Sequence, residues 1–151
     1  MDSLNLIFRT SSFQDEQHEA PAGFAVAQWL QRGVAESGWH AEAPENWRDS
    51  GWSIQCSRGA RTLELALGAI SKPHTGTTEW FLQVAPMKQP GFLARALGRR
   101  ASASPEDCYA LAQTLQSALV SDARCAGLKW RWNGPPDEMN STREPLPPPG
   151  A

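Results

Sequence analysis

The sequence predicts an α+β protein: a two-layer sandwich with a mainly antiparallel sheet of about five strands and two helices on one face, in the order β-α-β-β-β-α-β. Three observations predict it. Three consecutive central segments alternate apolar and polar residues and agree on one apolar face. Two other segments repeat apolar residues at helical spacing, one before and one after that block. Alternating segments also begin and end the folded part, which spans about Ser3 to Asn133.

Leu4, Leu6 and Phe8 alternate with Asn5, Ile7 and Arg9, a first strand with one strongly apolar side. After a polar stretch, Phe24, Ala27, Leu30 and Val34 recur at helical spacing, and Gly38 marks a stop. Gly33 inside this helix weakens it by about 1 kcal/mol relative to Ala. Trp52, Ile54 and Cys56 then alternate with Ser53, Gln55 and Ser57, and Leu63, Leu65 and Leu67 with Thr62, Glu64 and Ala66. A two-residue turn at Arg58-Gly59 would pair Ile54 with Leu63 and Trp52 with Leu65, leaving both apolar sets on one side. The next strand, Trp80 to Val84, keeps that parity when Ala69 faces Trp80 and Leu67 faces Leu82. Phe92 to Arg100 reads as a short basic helix or an irregular loop. Ser104-Pro-Glu-Asp107 is a helix start, with a capping serine, proline at the first helical position and acids at the positive end of the dipole. Cys108, Leu111, Ala112, Leu115 and Leu119 form its apolar stripe, and Leu128, Trp130 and Trp132 alternate with Lys129 and Arg131 in a last strand.

With 151 residues the chain is expected to form a single α+β domain over 1–134, followed by a proline-rich flexible tail over 135–151. Six of the twelve prolines fall in that tail, where Pro145-Leu-Pro-Pro-Pro149 suits a left-handed extended helix. The formal net charge of −2 argues against a generally basic nucleic-acid coat. No basic, apolar leader opens the sequence and no run reaches the ~20 apolar residues of a membrane helix, so a cytoplasmic location without membrane insertion is expected. Cys56, Cys108 and Cys125 are then reduced thiols.

Catalytic and cofactor signatures are missing. There is no dinucleotide or phosphate-binding glycine loop, no nucleophile elbow and no S-x-x-K. His40-Ala-Glu42 imitates the H-x-E of zinc deaminases without its P-C-x-x-C partner, so no metal and no cofactor are expected. Cys108 sits in a first helical turn, where the dipole lowers a thiol pKa, but Glu106 and Asp107 oppose a thiolate and its phase is that of the core. The loop around Ser71, His74 and Thr75-Gly-Thr-Thr78 brings hydroxyls near an imidazole. A small hydrolase or thiol enzyme using Cys108 or the His74 loop is therefore the alternative function, with no catalytic residue assigned.

The sheet side opposite the helices would display Ser53, Gln55, Thr62, Glu64, Phe81, Gln83, Lys129 and Arg131, polar groups around an aromatic as in a recognition surface. Trp47 and Arg48, in the charged loop Glu42–Asp49, are candidate anchors beside it. Lys88, Arg95, Arg99 and Arg100 make a basic segment over 88–100, which supplies a second alternative, RNA binding. The slightly acidic chain makes an acidic protein the better match for it. The candidate partner-binding set is thus Trp47, Arg48, Gln55, Glu64, Phe81, Gln83, Lys129 and Arg131, with Arg95, Arg99 and Arg100.

From Leu4 to Trp132 the succession of a Gly51-Trp52 strand, a leucine-rich hairpin, a Trp80 strand, the Gly98-Arg-Arg100 loop, a capped helix and a Trp130 strand resembles small uncharacterised bacterial α+β proteins. Some of these are similar to toxin-immunity proteins, which cover the active site of a toxin. The missing catalytic signatures, the polar sheet face and the charged aromatic loops lead to the expectation of a non-enzymatic protein-binding module, an immunity-type inhibitor or adaptor, whose partner is another protein such as a toxin. Residue-level function does not transfer from the resemblance.

Overall fold

Strict alternation of apolar side chains puts one dry side on each long strand, and a computed structural model shows those sides joined in one sheet. It describes residues 2–11, 22–47, 50–70, 77–87 and 103–150. The elements are β1 (Leu4–Ser11), α1 (Phe24–Glu36), β2 (His40–Ala41), β3 (Glu45–Trp47), β4 (Gly51–Arg58), β5 (Arg61–Ala69), β6 (Thr77–Pro86), α2 (Pro105–Val120) and β7 (Cys125–Trp132). The sheet has seven antiparallel strands in the order β2-β4-β5-β6-β1-β7, with β3 also pairing β4. The α+β class therefore holds, and the expected count of about five strands is low by two. Both extra strands lie between α1 and β4, β3 inside the stretch Glu42–Asp49 expected as a loop and β2 just before it. They are too short to carry an alternating signal and are defined by pairing with the outer edge of β4.

Leu4, Leu6 and Phe8 of β1, Ile54 and Cys56 of β4, the three leucines of β5, Leu82 and Val84 of β6 and Trp130 of β7 are all buried in one core. The helices supply Val26, Ala27, Leu30 and Val34 from α1 and Cys108, Leu111, Ala112, Leu115 and Leu119 from α2 to the same core. Both helices thus roof the dry side. The Phe24 and Trp52 rings meet at 4.8 Å, and Trp130 Nε1 donates to Gln116 Oε1 at 2.8 Å. Gly23 caps α1 with φ 110°, and a Cβ there would stand 2.7 Å from the Trp80 ring, so conformation and space both require glycine.

At the start of α2 the Ser104 side chain accepts from the Asp107 N–H and the Asp107 carboxylate accepts from the Ser104 N–H, a reciprocal capping box. Pro105 follows the cap, as the sequence indicates. Arg61 Nη1 reaches the same carboxylate at 3.0 Å and ties the β4–β5 turn to the helix. Burial acts to raise the Asp107 carboxyl. The Ser104 N–H, the Arg61 and Ser104 side chains and the Arg61 charge together outweigh it and hold the group below its ordinary value.

Leu67 faces Leu82 and Ala69 faces Trp80, the β5–β6 register the parity argument predicts. The β4–β5 register differs from the expectation by two residues. Ile54 faces Leu65 and Trp52 faces Leu67, because the turn is Gly59-Ala60 with Arg58 opposite Arg61. Gly59, at φ 65°, takes the first central position, where a positive φ favours glycine; the Arg58-Gly59 turn would have put it second. A shift of two preserves every facing, so the dry side is unaffected.

The segment from Pro135 onward, the stretch read as a flexible tail, lies as a strap against the domain. Trp130 N donates to Thr142 O at 2.8 Å and Thr142 N to Trp130 O at 3.0 Å, one antiparallel bridge on the outer edge of β7. Trp132 Nε1 donates to Leu146 O, Gln116 Nε2 to Arg143 O, and Asp137 Oδ1 accepts from the N–H groups of Met139 and Asn140.

Candidate functional site

Because side chains alternate, the residues between the core positions all emerge on the side away from α1 and α2. Register aligns them in rows across the sheet. One row runs Arg131, Asn5, Gln83, Ala66, Ser53, Glu45; a second runs Lys129, Ile7, Phe81, Gly68; a third holds Gln55, Glu64 and Ala85. The surface has an apolar middle, the cross-strand pair Ile7 and Phe81 beside Gly68, Ala66 and Ala85, and a polar and charged surround. That distribution matches the anatomy of protein interfaces, with a dry centre and a hydrated rim.

Seven sequence-predicted residues come together here. Gln55, Glu64, Phe81, Gln83, Lys129 and Arg131 lie on the rows or their ends, and Trp47 opposes Gly51 at the β3 border, 40% exposed. Arg48, Arg95, Arg99 and Arg100 lie outside the described residues, as do His74 and the whole of the 88–100 basic segment with Lys88. No described hydrogen bond or ion pair engages the side chains of Gln55, Glu64 or Lys129. Arg131 is partly committed: its Nη1 donates to Pro135 O at 3.1 Å and lies 3.7 Å from the Asp137 carboxylate. Both side chains of that ion pair are exposed, so it is weak and exchangeable.

Sequence reasoning missed Asn5, Ile7 and Glu45. Asn5 is 2% exposed and fully bonded: Gln83 Nε2 donates to its Oδ1 at 3.2 Å, and its Nδ2 donates to Gly134 O at 2.9 Å. A polar residue between Leu4 and Leu6 gives the facing of Asn5, whereas its neighbours depend on strand order. The chain pattern cannot say that β1 lies between β6 and β7, which is what brings Ile7 against Phe81.

The thiols lie elsewhere. Cys56 and Cys108 are buried, and burial pushes both up to about 12, the charges of Asp107 and Asp2 adding to the effect at Cys108. Cys125 is half-buried and pushed up to about 11, burial again leading. The helix dipole that favours a Cys108 thiolate is overruled by desolvation, so this sulfur is a core atom in the folded chain. Among the described residues no three His, Cys, Asp or Glu side chains are grouped to hold a metal ion, and His40 meets only Glu42, at 3.2 Å on an exposed strand end. No helix of the described residues is long and apolar enough to cross a membrane. On the roof, a groove of about 670 Å³ separates α1 from α2. Its Arg124 is already bound by both oxygens of Asp122.

Comparison with family models, with curated proteins and with solved structures finds no match for this chain.

Proposed function

We propose that the chain is a non-enzymatic, cytosolic protein-binding module whose open sheet face covers a partner protein, in the manner of an inhibitor or adaptor. An immunity protein that shields a toxin is one such case. The observation that carries this reading is the Ile7–Phe81 centre, framed by Gln55, Glu64, Gln83 and Lys129 on a rigid sheet with no described helix over it. A preformed surface of this kind loses little conformational freedom on association, which favours tight contact. Trp47 stands at the border as an aromatic anchor, and Lys129 and Arg131 attract a partner's carboxylates.

The test is capture by the tagged chain and by two variants, Phe81→Glu in the open centre and Gln113→Glu on the exposed side of α2. The partner is expected on the wild type and on Gln113→Glu and to be lost on Phe81→Glu. Equal capture by all three overturns the proposal. For the thiol-enzyme alternative, iodoacetamide at neutral pH is expected to leave Cys56 and Cys108 unlabelled until the chain unfolds. Rapid labelling of Cys108 in the native protein would revive that alternative.

A further inference from the structure

We infer that the open face is self-complementary, and that in the absence of its partner two copies of this chain cover each other's faces as a two-fold dimer. The inference rests on the proposed docking role of that face and names a further occupant for it.

The face carries Lys129 and Arg131 on β7 and Glu64 and Glu45 on β5 and β3 of the other half, while Arg9 of β1 has Glu79 of β6 as its cross-strand neighbour. A two-fold axis lying in the contact plane, parallel to the strands and running between β5 and β6, exchanges β6 with β5, β1 with β4 and β7 with β3. Positions along the strands are kept, so each row meets itself reversed. Arg131 of one copy then lies over Glu45 of the other, because both stand in one row. Phe81 lies over Gly68, its direct cross-strand neighbour in register, so the largest side chain of the centre meets the residue with none. Every contact occurs twice, as an isologous interface requires.

Size is adequate. Five strands about 4.8 Å apart, each about eight residues long at ~3.4 Å, outline on the order of 650 Å² per copy. A standard interface buries roughly 800 Å² per partner, so this face approaches that range before side-chain relief is counted.

The experiment is sedimentation equilibrium on the full chain, from low to high micromolar, with an exchange of charge. The wild type is expected to dimerise, and Phe81→Glu to weaken the dimer by roughly thirtyfold or more, as loss of a central contact does. Arg131→Glu and Glu45→Lys are each expected to dimerise poorly alone. Mixed in equal amounts, they restore both opposite-charge pairs and form a heterodimer of near wild-type strength. A wild type monomeric throughout, a dimer indifferent to Phe81→Glu, or a mixture no stronger than its parts overturns the inference. A wild type that stays monomeric yet captures a partner in a Phe81-dependent way sinks the dimer alone. A dimer that breaks with Phe81→Glu while partner capture persists sinks the docking role instead.

Discussion

Leu65 and Glu64 are neighbours in β5 and lie on opposite sides of one sheet, and they answer to different physics. Leu65 is fully buried between strands and helices. Glu64, one residue away, has its carboxylate on the open side with no described partner. The roofed side is filled by side chains that fit one another, so its residues are fixed by packing. The open side holds charges, amides and the apolar cross-strand pair of Ile7 and Phe81. A recognition surface can be placed on a stable scaffold when alternate residues separate the two tasks.

The sharpest way to break that comparison is to shorten each neighbour in turn. Leu65→Ala should cost about 2–5 kcal/mol of stability, because it removes buried surface and leaves a cavity. Glu64→Ala should stay within about 0.5 kcal/mol. Urea unfolding measures both, and similar losses would mean that the open side is part of the core.

Next in size is the tie at the margin of the roof. Asp107→Ala removes the reciprocal cap of α2 and the Arg61 contact and should cost about 1 kcal/mol at neutral pH. The folded carboxyl lies below its unfolded value, so its contribution is complete above about pH 4. It is lost as the pH falls through the lowered folded value. Wild type and variant should therefore converge in acid, and a constant difference across that range would assign the effect to packing.

The smallest effect has the opposite sign. A Cβ at Gly33 would meet the Ala118 Cβ at 3.5 Å, an ordinary contact across the two helices. Gly33→Ala should raise stability by about 0.5–1 kcal/mol through helix propensity. A lower thermal midpoint would show the helices to be more tightly fitted than that separation allows.

Much of the roofed side was legible because its signals are periodic. The parity of Leu4, Leu6 and Phe8, the stripe from Cys108 to Leu119 and the Ser104 cap each follow from local rules, and the structure matches them. What was not legible depends on pairing. The contacts of β2 and β3 belong to β4, as when the Glu42 N–H donates to Gln55 O at 2.9 Å, and nothing in His40-Ala41 announces a strand. The hairpin shift turned on which turn position Gly59 occupies. The docked strap had one local signal, Asp137 three residues before Asn140, a side chain suited to fold its own backbone into a turn. The open face was readable residue by residue from parity, but its rows required strand order, which no spacing encodes.

The strap has a consequence for how this protein can assemble. One border of the sheet is occupied by β2 and β3, with Pro44 between them, and the other by the Thr142 bridge in a stretch interrupted by Pro145 and Pro147. Proline offers no N–H to an incoming chain, so ribbons cannot readily lengthen sideways from either margin toward a fibre. Growth by hydrogen bonding is discouraged at both ends of the sheet.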